Sequence, residues 1–177
     1  MDKIVDVIGK VKNLKRTGWI KRNVENGESV ADHTFGLMML AYLFCPPHLN
    51  RQRCLELGLV HDLAEVITGD FTPCDNVPPE EKYGNELKAI KEIADNLEKP
   101  EIVDLFIEFE TAKTPESVFM KEMDKIEAVA QAKFYDNNKN ITFYKEHNTD
   151  WDSLLTEFYQ GAENKVDSLK HIFEKLK

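Results

Sequence analysis

The pair His61-Asp62 concentrates the chemistry of this chain. It sits inside the apolar segment Cys54-Leu55-Glu56-Leu57-Gly58-Leu59-Val60-His61-Asp62-Leu63-Ala64-Glu65, which reads as a buried helix. A polar group buried there without a partner costs about 1–3 kcal/mol, and an unpaired charge far more. A cation or a closed polar network would satisfy both side chains. His33 heads another apolar helix and Asp124 lies on a third, so His33, His61, Asp62 and Asp124 form a candidate ligand set. Imidazole nitrogen and carboxylate oxygen suit Zn²⁺, Mn²⁺, Fe²⁺ or Co²⁺. A set without thiolate suits a hydrolytic centre that keeps a position open for water. Each residue also has a plainer reading. His61 is then a satisfied core histidine, Asp62 a surface carboxylate and His33 a first-turn residue beside a capping Asp32. Asp124 becomes part of a solvated face with Lys121 and Lys125.

Glu65 follows His61 by four residues and Asp62 by three. On a helix advancing about 100° per residue it comes within reach of both. The segment Leu14–Arg22 is basic in an acidic chain. Arg16 and Arg22 offer planar forks of donors suited to phosphate oxygens, and Trp19 a flat face for a base. The alternative is a solubilising turn with Trp19 packed in the core. The loop Gly69-Asp70-Phe71-Thr72-Pro73 follows the His-Asp segment and would border any site there, where Asp70 and Thr72 could meet a sugar hydroxyl.

Helices must position these groups. Ile4, Val5, Ile8 and Val11 recur at helical spacing. Gly18, Asn23, Asn26 and Gly27 interrupt the pattern over residues 15–28. Ser29-Val30-Ala31-Asp32 resembles a capping box, opening a helix to about Cys45, where Pro46-Pro47 ends it. Asn50 caps the next, which carries His61-Asp62 and runs to about Gly69. Pro78-Pro79 opens a charged helix to about Leu97, another covers about 100–112, and Thr114-Pro115 caps one to about Tyr135. A last helix is expected over about 150–176. No strand-type alternation is evident, so the fold class is all-α, a compact bundle of about seven helices in one domain, 1–177. Met38, Met39, Phe134, Phe158 and Phe173 read as core, and His48, His147 and His171 as surface.

The 177 residues suffice for one domain with a core, and 42 % are apolar. A formal net charge of −9 argues against long nucleic acid as a partner. A local cation or a few arginines can still attract a small phosphorylated substrate. The apolar runs are too short to span a bilayer, and the start of the chain does not read as an export signal; a cytoplasmic location is expected. Cys45, Cys54 and Cys74 form neither a C-x-x-C pair nor a disulfide framework, and Asn140-Ile141-Thr142 reads as a chance acceptor match.

The order His33 … His61-Asp62 … Asp124 resembles the HD-domain metal-dependent phosphohydrolases. Arg16-Thr17-Gly18-Trp19, Glu28-Ser29-Val30-Ala31-Asp32-His33, His61-Asp62-Leu63-Ala64-Glu65, Gly69-Asp70, Asp75-Asn76-Val77-Pro78 and Glu80-Glu81-Lys82 resemble its 5′-deoxynucleotidase branch. The resemblance covers roughly residues 10–135, with the HD core at about 28–135. It implies that His33, His61, Asp62 and Asp124 hold one divalent metal ion (Mn²⁺, Co²⁺, Zn²⁺, Fe²⁺ or Mg²⁺). It implies that Glu65 acts in catalysis and that Arg16, Trp19, Asp70 and Thr72 approach the nucleotide. The expected reaction is hydrolysis of a deoxyribonucleoside 5′-monophosphate by a homodimer, with Asp70 accepting from the 3′-hydroxyl. In some bacterial members the arginine directly precedes the tryptophan. Here Gly18 does, which leaves the phosphate contact open between Arg16 and Arg22. Two other functions compete: hydrolysis of (p)ppGpp, whose enzymes carry His-Asp-x-x-Glu-Asp where this chain has Val66, and a non-catalytic nucleotide- or metal-sensing module.

Overall fold

The computed structural model describes residues 2–139, and among them eight α-helices and no named strand. They are α1 (Asp2–Asn13), α2 (Thr17–Lys21), α3 (Val30–Phe44), α4 (Arg51–Val60), α5 (Glu65–Thr68), α6 (Pro79–Leu97), α7 (Glu101–Thr111) and α8 (Pro115–Lys139), with a 3₁₀ turn at Pro73–Asp75. Two of the eight, α2 and α5, are little more than one turn each. The expected last helix, the Asn140 acceptor motif, His147, His171, Phe158 and Phe173 lie outside the described residues.

Local chemistry sets the helix starts. At α3 the Ser29 hydroxyl accepts the Asp32 N–H, and Asp32 accepts the Ser29 N–H, so the reciprocal box forms with aspartate in place of the usual glutamate. Asn50 Oδ1 accepts the Arg53 N–H at the head of α4. Pro79 and Pro115 stand at the first helical positions of α6 and α8, where the missing N–H costs nothing.

The core lies where α3, α4, α7 and α8 meet, with α6 closing one side. Leu37 and Ala41 from α3, Cys54 and Leu57 from α4, Ile90 from α6, Phe106 from α7, and Phe119, Met120 and Met123 from α8 are all essentially inaccessible. Helices α4 and α8 approach closely at Gly58, where a Cβ would lie 2.7 Å from Met120 Cε. Arg53 clips α4 to α7 through Glu108, which also accepts from the Thr114 hydroxyl at the start of α8. Outside this core, Met39 and Phe134 are exposed rather than buried as expected, because each stands on a face of its helix turned away from the four-helix junction. Phe35, Leu59 and the α1 residues Ile4, Val5 and Ile8 are exposed too. Among the described residues no helix is long and apolar enough to cross a membrane.

Candidate metal centre

The cap that starts α3 also places His33. Three N–H or O–H donors of Ser29 and Asp32 are consumed in the box, and the Asp32 carboxyl is held below its ordinary range by its bonds from Ser29. His33, one residue further on, points inward and is completely buried. Its Nδ1 meets the Glu127 carboxylate from α8, and its Nε2 lies 2.9 Å from Asp124 Oδ1, also on α8.

His61 arrives from α4, but not on an unbroken helix. The continuous helix expected from Asn50 to about Gly69 is divided: α4 ends at Val60 and a turn occupies 61–64. The amides of Leu63, Glu65, Val66 and Ile67 bond to carbonyls three residues back, at Val60, Asp62, Leu63 and Ala64. Tightening to the 3₁₀ pattern brings side chains at i and i+3 into line. Asp62 and Glu65 therefore stack more closely than on an α-helix, and His61 is left at the end of α4 facing His33. The His61 Nδ1–H donates to the Gly58 carbonyl at 2.8 Å. Its Nε2 lies 3.0 Å from Asp62 Oδ2 and 3.4 Å from His33 Nε2.

Both imidazoles are thus turned the same way. Each Nδ1 faces an acceptor, so a neutral ring would keep its proton there and turn its Nε2 lone pair toward the other ring, beside the Asp62 and Asp124 oxygens. Three ligand atoms, from His33 on α3 and from His61 and Asp62 at the end of α4, come together, and Asp124 Oδ1 on α8 lies against the His33 Nε2. The ligand atoms of His33, His61 and Asp62 all lie within 4.8 Å of one another. Bonds of about 2.0–2.2 Å to one cation set neighbouring donor atoms roughly 3–4 Å apart, the spacing found here. Without a cation, protons must fill the gap. Burial would depress His33, but its bonds to Asp124 and Glu127 outweigh that and lift it to about 10. Burial of His61 is likewise outweighed by Asp62, and its pKa is raised. Asp62 and Asp124 are held low despite burial, the first chiefly by His61 and Arg16, the second chiefly by His33. The chemistry and orientation of this donor set fit a divalent cation.

Glu65 and Arg16 flank the cluster. Glu65 is 4 % exposed, and its Oε2 has no hydrogen-bond partner. Burial first, then the Asp62 and Asp70 carboxylates, push its carboxyl up to about 10. Arg16 Nη1 donates to Asp62 Oδ2 at 3.1 Å and lies 3.6 Å from Asp70 Oδ1. Asp62 and Asp70 keep its guanidinium charged in spite of burial. Asp70 accepts the Thr17 N–H at 2.5 Å, tying the loop after α5 to the start of α2. Thr72 receives the Lys21 ammonium at 2.8 Å and gives its hydroxyl proton to Asp75 at 2.7 Å.

Two of the expected contacts sit elsewhere. Arg22, the residue capping the end of α2, donates to the Gly18 carbonyl at 3.0 Å, while Arg16 is the arginine at the cluster. Trp19 is 8 % exposed, its ring edge-on to Tyr135 and its N–H on Glu28 Oε1 at 2.8 Å. The structure gives it a packed position rather than an open stacking face. Sequence reasoning missed Glu28 and Glu127, two buried carboxylates behind His33. Glu127 was within reach of pattern reading: it stands three residues after Asp124, on the same face of α8.

A helical bundle that brings two buried histidines together with Asp62 defines the class. The chain belongs to the HD-domain family, whose model matches residues 8–165. Two of the curated proteins it resembles carry the name 5′-deoxynucleotidase. The 5′-deoxynucleotidase HDDC2 of Bos taurus is 41 % identical over 138 residues, 76 % of this chain and 67 % of that protein. The 5′-deoxynucleotidase hdd1 of Schizosaccharomyces pombe is 40 % identical over 143 residues, 77 % of this chain and 72 % of that one. Among solved structures, a conserved hypothetical protein from Pyrococcus furiosus superposes with a TM-score of 0.75 at 27 % identity, covering 99 % of this chain and 97 % of its own.

Proposed function

We propose that this chain is a metal-dependent 5′-deoxynucleotidase, hydrolysing deoxyribonucleoside 5′-monophosphates to deoxynucleoside and phosphate. His33, His61, Asp62 and Asp124 would hold one divalent ion, of the Mn²⁺, Co²⁺, Zn²⁺, Fe²⁺ or Mg²⁺ kind. Such an ion, when bound, supplies Lewis acidity toward a phosphate oxygen and activates water. The observation that carries the reading is the clustering of the His33, His61 and Asp62 ligand atoms within 4.8 Å, with Asp124 Oδ1 2.9 Å from His33 Nε2 and the Arg16 guanidinium 3.1 Å from Asp62.

The chain's own residues supply the rest. Arg16, charged and fixed between Asp62 and Asp70, presents its remaining donors to the phosphoryl oxygens, where negative charge must be stabilised during transfer. The free Glu65 oxygen orients the attacking water, and its carboxyl, ready to hold a proton at neutral pH, passes one on as the ester bond breaks. Asp70 and Thr72, on the rim, face the sugar. Trp19 serves this arm by packing: its indole N–H on Glu28 holds α2, and with it Arg16, against α3 and α8. The names of the relatives favour this reading over (p)ppGpp hydrolysis and over a non-catalytic module, and Val66 after Glu65 points the same way.

We place the protein in the cytoplasm, where thiols such as Cys45 and Cys54 stay reduced, and read it as a homodimer. The exposed apolar residues of α1 and α3 support a second copy, which light scattering on the intact chain checks. The activity is tested by incubating Mn²⁺- or Co²⁺-loaded protein with dAMP and with AMP and measuring phosphate. Release from dAMP is expected; no release from any deoxynucleotide overturns the reading.

A further inference from the structure

Behind the candidate ligands lies a second, drier layer. Glu127 is 6 % exposed and Glu28 8 %, and their carboxylate oxygens gather with a His33 nitrogen within 4.8 Å. Glu127 bonds to the His33 nitrogen that faces away from Asp124, Asp62 and His61. The backbone makes room for it. Gly36 lies one turn after His33 on α3, and a Cβ there would overlap the Glu127 carboxylate. The bare notch at 36 lets α8 deliver a carboxylate against α3 at the depth of the imidazole. Glu28 closes the far side, with its own oxygen occupied by Trp19 and its N–H donating to the Tyr135 hydroxyl at 2.7 Å.

We propose that Glu127 is a positioning residue of the metal centre: seated in the Gly36 notch, it accepts the His33 Nδ1 proton and so fixes Nε2 as the lone-pair donor to the ion. His61 gets the same service from the Gly58 carbonyl. The two rings are oriented by different devices, a backbone carbonyl for one and a buried carboxylate for the other. A carboxylate also makes the imidazole a stronger ligand, and loss of such a partner commonly costs 10–100-fold in metal affinity. A second ion on Glu28, His33 and Glu127 would need the same Nδ1 that Glu127 already holds, so this group reads as support rather than as a separate site.

The proposal rests on the metal reading above, and the test separates the two. Zn²⁺ and Mn²⁺ affinity is measured by competition with a chelator for the intact wild-type chain, Glu127→Gln, Glu127→Ala and Gly36→Ala, with helix content followed by circular dichroism. Wild type should bind one ion. Glu127→Ala should bind about 10–100-fold more weakly. Glu127→Gln, whose amide oxygen still accepts from Nδ1, should lose less. Gly36→Ala, which changes no polar group, should weaken binding by displacing Glu127. In the zinc-loaded wild type the His33 Nδ1 proton should appear downfield by NMR, and it should move upfield or exchange away in Glu127→Ala. Wild-type binding with undiminished affinity in folded Glu127→Ala and Gly36→Ala overturns the role of Glu127 alone. A wild-type chain that binds no divalent ion overturns the metal reading and this proposal with it. If Glu127→Ala loses its helix content, Glu127→Gln and Gly36→Ala decide the matter by the same affinities.

Discussion

The ligand cluster and the arm over it are built on opposite principles. The cluster takes His33, His61, Asp62 and Asp124 from α3, the turn after α4 and α8, and its two imidazoles are bonded from behind, His33 by Glu127 and His61 by the Gly58 carbonyl. The arm, residues 15–29 with the loop at 69–75, holds its functional candidates by tying them to each other: Arg16 to Asp70, Asp70 to the Thr17 amide, Thr72 to Lys21 and Asp75. Removing a residue from the first region leaves a buried, uncompensated polar group. Removing one from the second leaves neighbours that can turn to water. The cluster should therefore fail abruptly and the arm by degrees.

The sharpest break is Asp62→Ala. It deletes a ligand and leaves Arg16 and His61 without their nearest carboxylate. Metal retention should be lost, and turnover should fall by roughly 10³-fold or more, since the ion's charge stabilisation amounts to several kcal/mol. Elemental analysis of the purified variant and phosphate release together check this; a fully active Asp62→Ala would remove the ligand assignment.

Arg16→Ala comes next, with about 10²–10³-fold off kcat/KM and the ion still bound. Arg16→Lys should recover little, because a point charge does not replace a fork held between two carboxylates. Equal loss of the ion in Arg16→Ala and Asp62→Ala would erase the distinction between the two regions. Thr72→Ala should be milder, a few-fold rise in KM with kcat nearly unchanged, because its neighbours Lys21 and Asp75 remain paired at 2.6 Å.

The last effect falls on stability rather than turnover and belongs to the layer behind the cluster. Burial, with Glu127 adding to it, lifts the Glu28 carboxyl to about 7. Its folded pKa is thus above the unfolded value, so the folded state binds the extra proton between about pH 4.5 and 7. Stability from this group is greatest below that window and falls as pH rises through it. Glu28→Gln keeps an acceptor for the Trp19 N–H and should flatten this slope, by at most about 3 kcal/mol. Urea unfolding at pH 5 and pH 8 reads the change, and identical slopes in both proteins would place the shift elsewhere.

How much of this could be read from the sequence depends on how local each signal is. The Ser29–Asp32 box, the Asn50 cap and the proline starts of α6 and α8 are written within a few residues, and their helices begin where those residues put them. The α4–α5 break is not local. Gly58 is a weak helix former, yet α4 runs through it, and the turn falls at 61–64, where His61 Nε2 lies 3.4 Å from His33 Nε2 across the bundle. The short helix α2 was hidden by glycine and asparagine neighbours that read as loop. Residue type and spacing could nominate His33, His61, Asp62 and Asp124. They could not choose between Arg16 and Arg22, since only the fold decides which of two nearby guanidiniums meets Asp62. Nor could they separate Trp19 as a stacking platform from Trp19 as packing.

The isolated bridge between Lys15 and Ser29 joins the two feet of the arm, with Arg16 N–H to Glu28 O at 3.1 Å and Val30 N–H to Leu14 O at 2.8 Å. The hairpin-like pouch between them is tethered at the very backbone that leads into His33. Its far tip packs back on the base: Val24 is buried, its N–H donates to the Trp19 carbonyl at 3.0 Å, and a Cβ on Gly27 would lie 3.0 Å from Trp19 Cβ. Resculpting that tip should therefore disturb Trp19 and, through it, the seat of Arg16, so a change made far along the pouch is felt at its base.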